Sequence, residues 1–140
     1  SEENFDAQIA LNLKAVWMGS TVAARRMAEA GGSIINISSR SSFGPQVKNG
    51  PYGAAKAAVN SLTTTLAAEV APKVRVNAIA PGEIDTSILS PGTEKIVQEN
   101  IPMGRLGEPE EVAKAIYFLC TEQSSYVNGA ELHINGGQHV

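Results

Sequence analysis

Apolar positions recur along this chain with two alternating periods, and that alternation predicts an order of helices and strands. From about Glu3 to Glu29, Phe5, Ile9, Asn12 and Val16 fall at helical spacing, with one amide inside the apolar stripe. Ser33 to Ser39 is a short apolar run ending in hydroxyls, which reads as a buried strand. A second long helix is expected from about Pro51 to Ala71, with Ala55, Val59, Leu62 and Leu66 on its packing side. Pro51 suits its opening turn, where a missing N–H costs nothing. Val74 to Ala80 reads as another buried strand, ending at Pro81-Gly82. A loop or small helical lid is expected over 83–107. Pro109 then opens a helix with acids in its first turn and Val112, Ile116 and Leu119 as its buried stripe. Gly129 turns the chain into a last strand, 131–134.

Strands alternating with helices predict three parallel strands joined by helical crossovers, the unit of a doubly wound, Rossmann-like α/β fold. The sequence contains no internal repeats and no low-complexity linker. At 140 residues, with 43% hydrophobic residues, it falls within the size of one domain. Its 11 basic and 14 acidic residues form no polycationic patch, which argues against nucleic acid as a partner. No apolar run reaches membrane-spanning length, and Ser1-Glu2-Glu3 is neither a signal peptide nor an initiating Met. One cysteine, Cys120, excludes an intrachain disulfide and is compatible with a cytoplasmic setting. Near a helix end, Cys120 is expected to be a small apolar filler. His133 and His139 have no partners at metal-ligand spacing and read as structural, so no metal site is expected.

The chemistry concentrates in Pro51-Tyr52-Gly53-Ala54-Ala55-Lys56. Tyr52 and Lys56, four apart, project from one helix face. A free phenol, with a pKa of about 10, is a poor proton donor or acceptor near neutrality. An adjacent ammonium favours the phenolate, and at ~4 Å with an effective dielectric near 20 the attraction is roughly 4 kcal/mol before desolvation. The carboxyl end of the first strand and the start of the Tyr52 helix border the crevice where a parallel sheet binds ligands. Ser39 and Tyr52 can meet there, one holding a carbonyl or alcohol oxygen and the other exchanging its proton. Ser38 is a physical alternative to Ser39. Arg40, next to it, is either a surface charge or a selector of polar substrates.

These residues, with Asn12 in Leu11-Asn12-Leu13, Asn36-Ile37-Ser38-Ser39, Asn77-Ala78-Ile79-Ala80-Pro81-Gly82-Glu83-Ile84-Asp85-Thr86, Arg105-Leu106-Gly107-Glu108-Pro109 and Asn135-Gly136-Gly137, resemble the C-terminal part of a classical short-chain dehydrogenase/reductase, in the family's order. The resemblance implies reversible transfer of hydride between NAD or NADP and a small-molecule carbonyl/alcohol pair, without a metal. It assigns the catalytic set Asn12, Ser39, Tyr52 and Lys56. Asn12 holds a water of the proton relay, and family spacing selects Ser39 over Ser38. Cofactor contacts fall on Tyr52, Lys56, Pro81, Gly82, Ile84 and Thr86. Lys56 holds the nicotinamide ribose, Ile84 backbone groups meet the carboxamide, and the Thr86 hydroxyl bonds the carboxamide or a phosphate. A small residue is common where Arg40 stands.

The family's glycine-rich turn, which cradles the pyrophosphate, does not occur in these 140 residues. Residues 1–140 are therefore expected to be the C-terminal part of one Rossmann-type domain, its N-terminal phosphate-binding part lying in the same or another chain. Activity is expected only with that part present. Resemblance further implies a homo-oligomer, dimer or tetramer, built through the two long helices. Two alternatives stand beside the general dehydrogenase: a 3-oxoacyl-carrier-protein reductase, suggested by Glu131-Leu132-His133-Ile134-Asn135-Gly136-Gly137, and a non-catalytic assembly fragment or subunit. The lid from Ile88 to Arg105 mixes apolar and charged residues and selects no substrate class.

Overall fold

A computed structural model describes residues 1–44, 47–89 and 92–140. Three strands, β1 (Gly32–Ile37), β2 (Val74–Pro81) and β3 (Glu131–Ile134), form one parallel sheet in the order β1-β2-β3. Gly32 pairs with Val74 and Ile37 with Ile79; Ala78 pairs with Glu131 and Pro81 with Ile134. β3 has the expected bounds. β1 ends two residues early, at Ile37, although the Ser38 N–H still reaches the Ile79 carbonyl at 2.8 Å.

The first long helix is interrupted. α1 (Glu2–Ile9) passes through a π turn (Ala10–Lys14) into α2 (Ala15–Met27). Asn12 sits at the middle of that π turn, a local widening that favours functional positions. The expected stripe is only partly covered: Ile9, Asn12 and Val16 are half-buried, while Phe5 is 49% exposed.

α3 (Gly50–Val70) lies against β2, with Ala55 and Val59 fully buried and Leu66 nearly so; Leu62 is half-buried. Burying a valine such as Val59 contributes about 1.5–3 kcal/mol. Ile34, Val74 and Val76 meet Ala24 of α2 and Leu66 and Ala67 of α3 on one sheet face. Asn36 points to that same face and links both helices. It accepts from Ser20 Oγ (2.9 Å) and donates to Thr63 Oγ1 (3.0 Å).

Alternation along the strands turns Ser33 and Arg75 the other way, towards α5 (Pro109–Cys120). Ser33 Oγ donates to the Leu119 carbonyl at 2.8 Å, and Arg75 donates to the carbonyls of Leu119, Thr121 and Val127. Within α5, Leu119 is buried and Val112 and Ile116 are half-buried. Cys120 is exposed, which corrects its expected role as a filler: it is the last helical residue, one step past the buried Leu119. Asn77 carries the lead into β3, donating to Val127 O and accepting from the Ala130 N–H, both at 2.9 Å. The lid does contain a helix, α4 (Thr93–Asn100). Pro45 of the loop before α3 and residues 90–91 of the lid lie outside the described residues.

Candidate active site

Three elements converge beyond the carboxyl end of β1. The first is the turn that follows the strand. Ser39 is extended (φ −164°, ψ 156°), and its Oγ accepts the Ser41 N–H at 3.1 Å, capping a short 3-10 turn (Arg40–Ser42). Its own hydroxyl hydrogen remains free to donate. Ser38 is only 2% exposed, and its Oγ donates inward towards Ser42 Oγ and the Lys56 carbonyl, each at 3.4 Å. Of the two serines, Ser39 is thus the one that reaches the surface.

Ser42 ties this turn to α3: its Oγ donates to the Ser39 carbonyl at 2.7 Å and accepts from Asn60 Nδ2 at 3.3 Å. The approach is close. A Cβ on Gly53 would sit 3.0 Å from the Ser41 carbonyl oxygen, so glycine next to Tyr52 lets the turn and the helix start touch.

Tyr52 and Lys56 occupy successive turns of α3, as their spacing requires. The Lys56 ammonium lies 5.6 Å from the centre of the Tyr52 ring, within cation–π range, and donates to the Ile37 carbonyl at 2.9 Å. It is 8% exposed, and burial lowers its pKa from the ordinary lysine value. A buried ammonium with no carboxylate partner among the described residues is a costly placement, one that active sites tolerate. Asn12 donates from Nδ2 to Gln8 Oε1 at 2.8 Å, and its side-chain carbonyl oxygen has no donor among the described residues.

The remaining expected residues line the end of β2. Pro81 closes the strand, and the Gly82 N–H donates to the Ile134 carbonyl at 3.0 Å. Ile84 pairs in parallel with Gly107, through Asp85 N to Gly107 O and Gly107 N to Glu83 O; the Ile84 N–H has no partner among the described residues. Thr86 is exposed, its hydroxyl making one long bond (3.4 Å) to the Ile84 carbonyl. The structure therefore sets these residues in two groups. Ser39, Tyr52 and Lys56 are linked by contacts around β1 and α3, while 81–86 follow the neighbouring strand. Among the described residues no hydrogen bond joins Asn12 to the first group, although its π turn packs against α3.

Sequence reasoning missed the tail. His133 and His139 stack face to face at 4.1 Å (6° between planes), and Phe43, just after the Ser39 turn, tilts against His133 at 4.5 Å. Burial first, then the neighbouring His139, lowers the His133 pKa, with Glu131 opposing. Asn135 Oδ1 accepts from the Gly137 N–H and meets His139 Nδ1 at 2.9 Å. Only aromatic residues spaced far apart signalled this contact, and separation hides such pairs. Arg105 clamps Glu111 through two 2.8 Å bonds, and the Glu108 N–H adds a third. These contacts hold the Glu111 carboxyl down at about 2, the Arg105 hydrogen bonds being the largest cause. Among the described residues no group of acidic, His or Cys side chains is arranged to hold a metal, and no helix is long and apolar enough to cross a membrane.

A family model described as enoyl-(acyl carrier protein) reductase matches residues 1–139. The protein FixR of Bradyrhizobium diazoefficiens is 52% identical over 115 residues, covering 79% of this chain and 41% of its own. A 3-oxoacyl-acyl-carrier-protein reductase of Aquifex aeolicus is 46% identical over 110 residues, 76% of this chain and 44% of that protein. The solved structure of a short-chain type dehydrogenase/reductase from Mycobacterium ulcerans superposes with a TM-score of 0.94 at 32% identity, over 99% of this chain and 53% of that one. The chain spans about half the length of the relatives it matches.

Proposed function

The chain belongs to the short-chain dehydrogenase/reductase family of oxidoreductases, and from that premise we propose that it carries the proton-handling part of an NAD- or NADP-dependent enzyme interconverting a carbonyl and a secondary alcohol. The observation that carries this reading is Lys56: a buried ammonium held over the Tyr52 ring by the strand-end carbonyl of Ile37.

The Ser39 hydroxyl donates to the substrate oxygen and orients it. The Tyr52 phenol gives that oxygen a proton in reduction or takes one in oxidation, and the fixed charge of Lys56 stabilises the negative charge that develops on the phenol oxygen. The unpartnered Asn12 carbonyl oxygen accepts from a water that refills the relay. The residues fit a nicotinamide cofactor. The Lys56 ammonium has a single hydrogen-bond partner and suits ribose hydroxyls, while the free Ile84 N–H and the weakly engaged Thr86 hydroxyl suit a carboxamide. Pro81 and Gly82 let backbone approach the ring. When bound, that cofactor supplies or accepts the hydride.

Residues 1–140 are then the C-terminal part of one Rossmann-type domain, whose glycine-rich phosphate-binding turn comes from the same or another chain. Leu11, Trp17 and Met18 on the first long helix are 71%, 51% and 52% exposed, which supports homo-oligomerisation, as dimer or tetramer, through the two long helices. The same surface favours, as a second reading, a non-catalytic assembly subunit. A 3-oxoacyl-carrier-protein reductase is the narrower enzymatic alternative, favoured by the Aquifex aeolicus relative. A cytoplasmic location fits all of these.

Tyr52→Phe separates the readings. In the protein complete with its phosphate-binding part, the variant is expected to lose about 10²–10⁴-fold in kcat while circular dichroism and cofactor binding stay as in the parent. Near-normal turnover in that folded variant refutes the acid/base assignment.

A further inference from the structure

A cleft lined by Arg40, the residue that follows Ser39, has a chemistry that the acid/base set does not use. Its volume is about 590 Å³, within the range of small-molecule sites. Arg40 forms one wall, directly after Ser39 in the chain. The folded tail forms another, through Gln138 and Val140, and the last turn of α4 a third, through Gln98, Glu99 and Asn100.

Two groups in this cleft lack partners. The Arg40 guanidinium has no hydrogen bond or ion pair among the described residues, and its Nη1 lies over Gly44, 3.6 Å from where a Cβ would stand. The Gln138 amide has no partner among the described residues either, but it is turned inward, its Oε1 2.8 Å from where a Cβ on Gly82 would stand, so Arg40 alone offers the cleft an unpaired donor. Buried polar atoms left unpaired cost about 1–3 kcal/mol each, so they mark places where a ligand or water completes the bonding. The tail presents Gln138 in a set position. The Gln138 N–H donates to the Asn135 carbonyl, His139 stacks on His133, and Phe43 couples that stack to the Ser39 turn.

Charge decides the ligand class. A guanidinium offers a planar fork that matches a carboxylate with two parallel hydrogen bonds. Glu99 faces the same cleft, paired only at 3.8 Å with the exposed Lys95, and the α4 carbonyl end adds partial negative charge. Those groups disfavour a dianion and leave one positive wall for a monoanion. The Gln98 and Asn100 amides suit hydroxyls rather than an alkyl chain.

We propose that this cleft receives the carboxylate of the substrate, so that the carbonyl or alcohol held at Ser39 belongs to a short, polar oxo acid or hydroxy acid. The proposal rests on the acid/base reading of Ser39 and Tyr52 and adds Arg40 as a specificity-determining residue.

The test uses the complete protein with a panel of 2-, 3- and 4-hydroxy acids and their oxo forms, each beside its neutral primary amide. At least one acid is expected to exceed its amide by about tenfold or more in kcat/KM, the scale of one charge-assisted hydrogen bond. Arg40→Met is expected to collapse that acid-to-amide ratio towards one, and Arg40→Lys to retain part of it. Equal use of acid and amide, or a ratio untouched by Arg40→Met, overturns the proposal. So does a variant that slows acid and amide in equal proportion, since that reports a structural role. Tyr52→Phe is assayed alongside: undiminished turnover there sinks the acid/base reading separately, whatever the ratio. Failure to turn over any member of the panel while cofactor binds and a neutral ketone or secondary alcohol is turned over overturns this inference alone.

Discussion

Replacing Gly82 by alanine tests how tightly the end of β2 is built. An ideal Cβ at this position falls 2.7 Å from Asn135 Cβ and 2.9 Å from Asn135 Cα, with Gln138 Oε1 at 2.8 Å. Carbon atoms in good contact lie about 3.5–4.0 Å apart, so the methyl group overlaps its neighbours by roughly 1 Å. Asn135 cannot yield easily. Its carbonyl accepts from the Gln138 N–H at 3.1 Å, its side chain holds Gly137 and His139, and the preceding Ile134 carbonyl accepts the Gly82 N–H. Overpacking of this kind costs about 1–3 kcal/mol, and losing one of the Asn135 bonds adds about 1 kcal/mol. For a chain of this size each kcal/mol lowers the Tm by roughly 3–4 °C, so the summed cost of about 2–4 kcal/mol gives an expected loss of about 6–16 °C. Gly107→Ala is the matched control. Its Cβ also meets a neighbour at 2.8 Å, but that neighbour is Ile84 Cδ1, the free end of a side chain. Turning it off its preferred rotamer costs about 0.5–1.5 kcal/mol. Differential scanning calorimetry of both variants decides. A Gly107→Ala loss equal to or larger than that of Gly82→Ala would contradict the argument from rigid backbone.

Two further outcomes follow from the polar framework. Asn36→Ala leaves Ser20 and Thr63 without their shared amide and is expected to cost about 1–3 kcal/mol in urea unfolding. In a double-mutant cycle with Ser20→Ala the two losses should fail to add by roughly 0.5 kcal/mol or more, and strict additivity would mean that the bond carries nothing. Glu111, with a folded pKa of about 2 against an ordinary 4.5, stabilises the fold fully above pH ~4.5 and progressively less as pH falls towards 2. The Tm gap between the parent and Glu111→Gln should therefore be present at pH 6 and vanish by about pH 2, and a constant gap would exclude the ion pair as its source.

Much of this architecture was legible because local signals and global packing agree. β3 is bounded by Gly129 and Asn135, α5 by Pro109, and the Tyr52–Lys56 face by helical spacing alone. The π turn at Asn12 left no mark, since one residue added to a helical turn barely changes an apolar stripe already broken by an amide. β1 ends at Ile37 because Ser39 spends its hydroxyl on capping the next turn, a choice that hydropathy does not register. The framework of Asn36, Arg75, Asn77 and Asn128, the last accepting from the Val76 N–H and donating to the Ala67 carbonyl, was invisible for a different reason. Each side chain finds partners between 16 and 61 residues away, and only the folded sheet brings them together. Arg40 was legible as an anomaly but not as a wall, because the tail that faces it lies almost a hundred residues further on.

The carbonyls that Ser33 and Arg75 collect at the end of α5 change how this molecule opens. A helix usually frays from its last turn, where carbonyls are satisfied by water and each opening step is cheap. Here the final turn is fastened by one side chain from β1 and one from β2, and Arg75 also reaches past the helix to Thr121 and Val127. That end of α5 has no independent way to loosen. To release it the sheet must part, so helix and strands breathe as one cooperative unit, and the floor beneath the candidate site stays fixed.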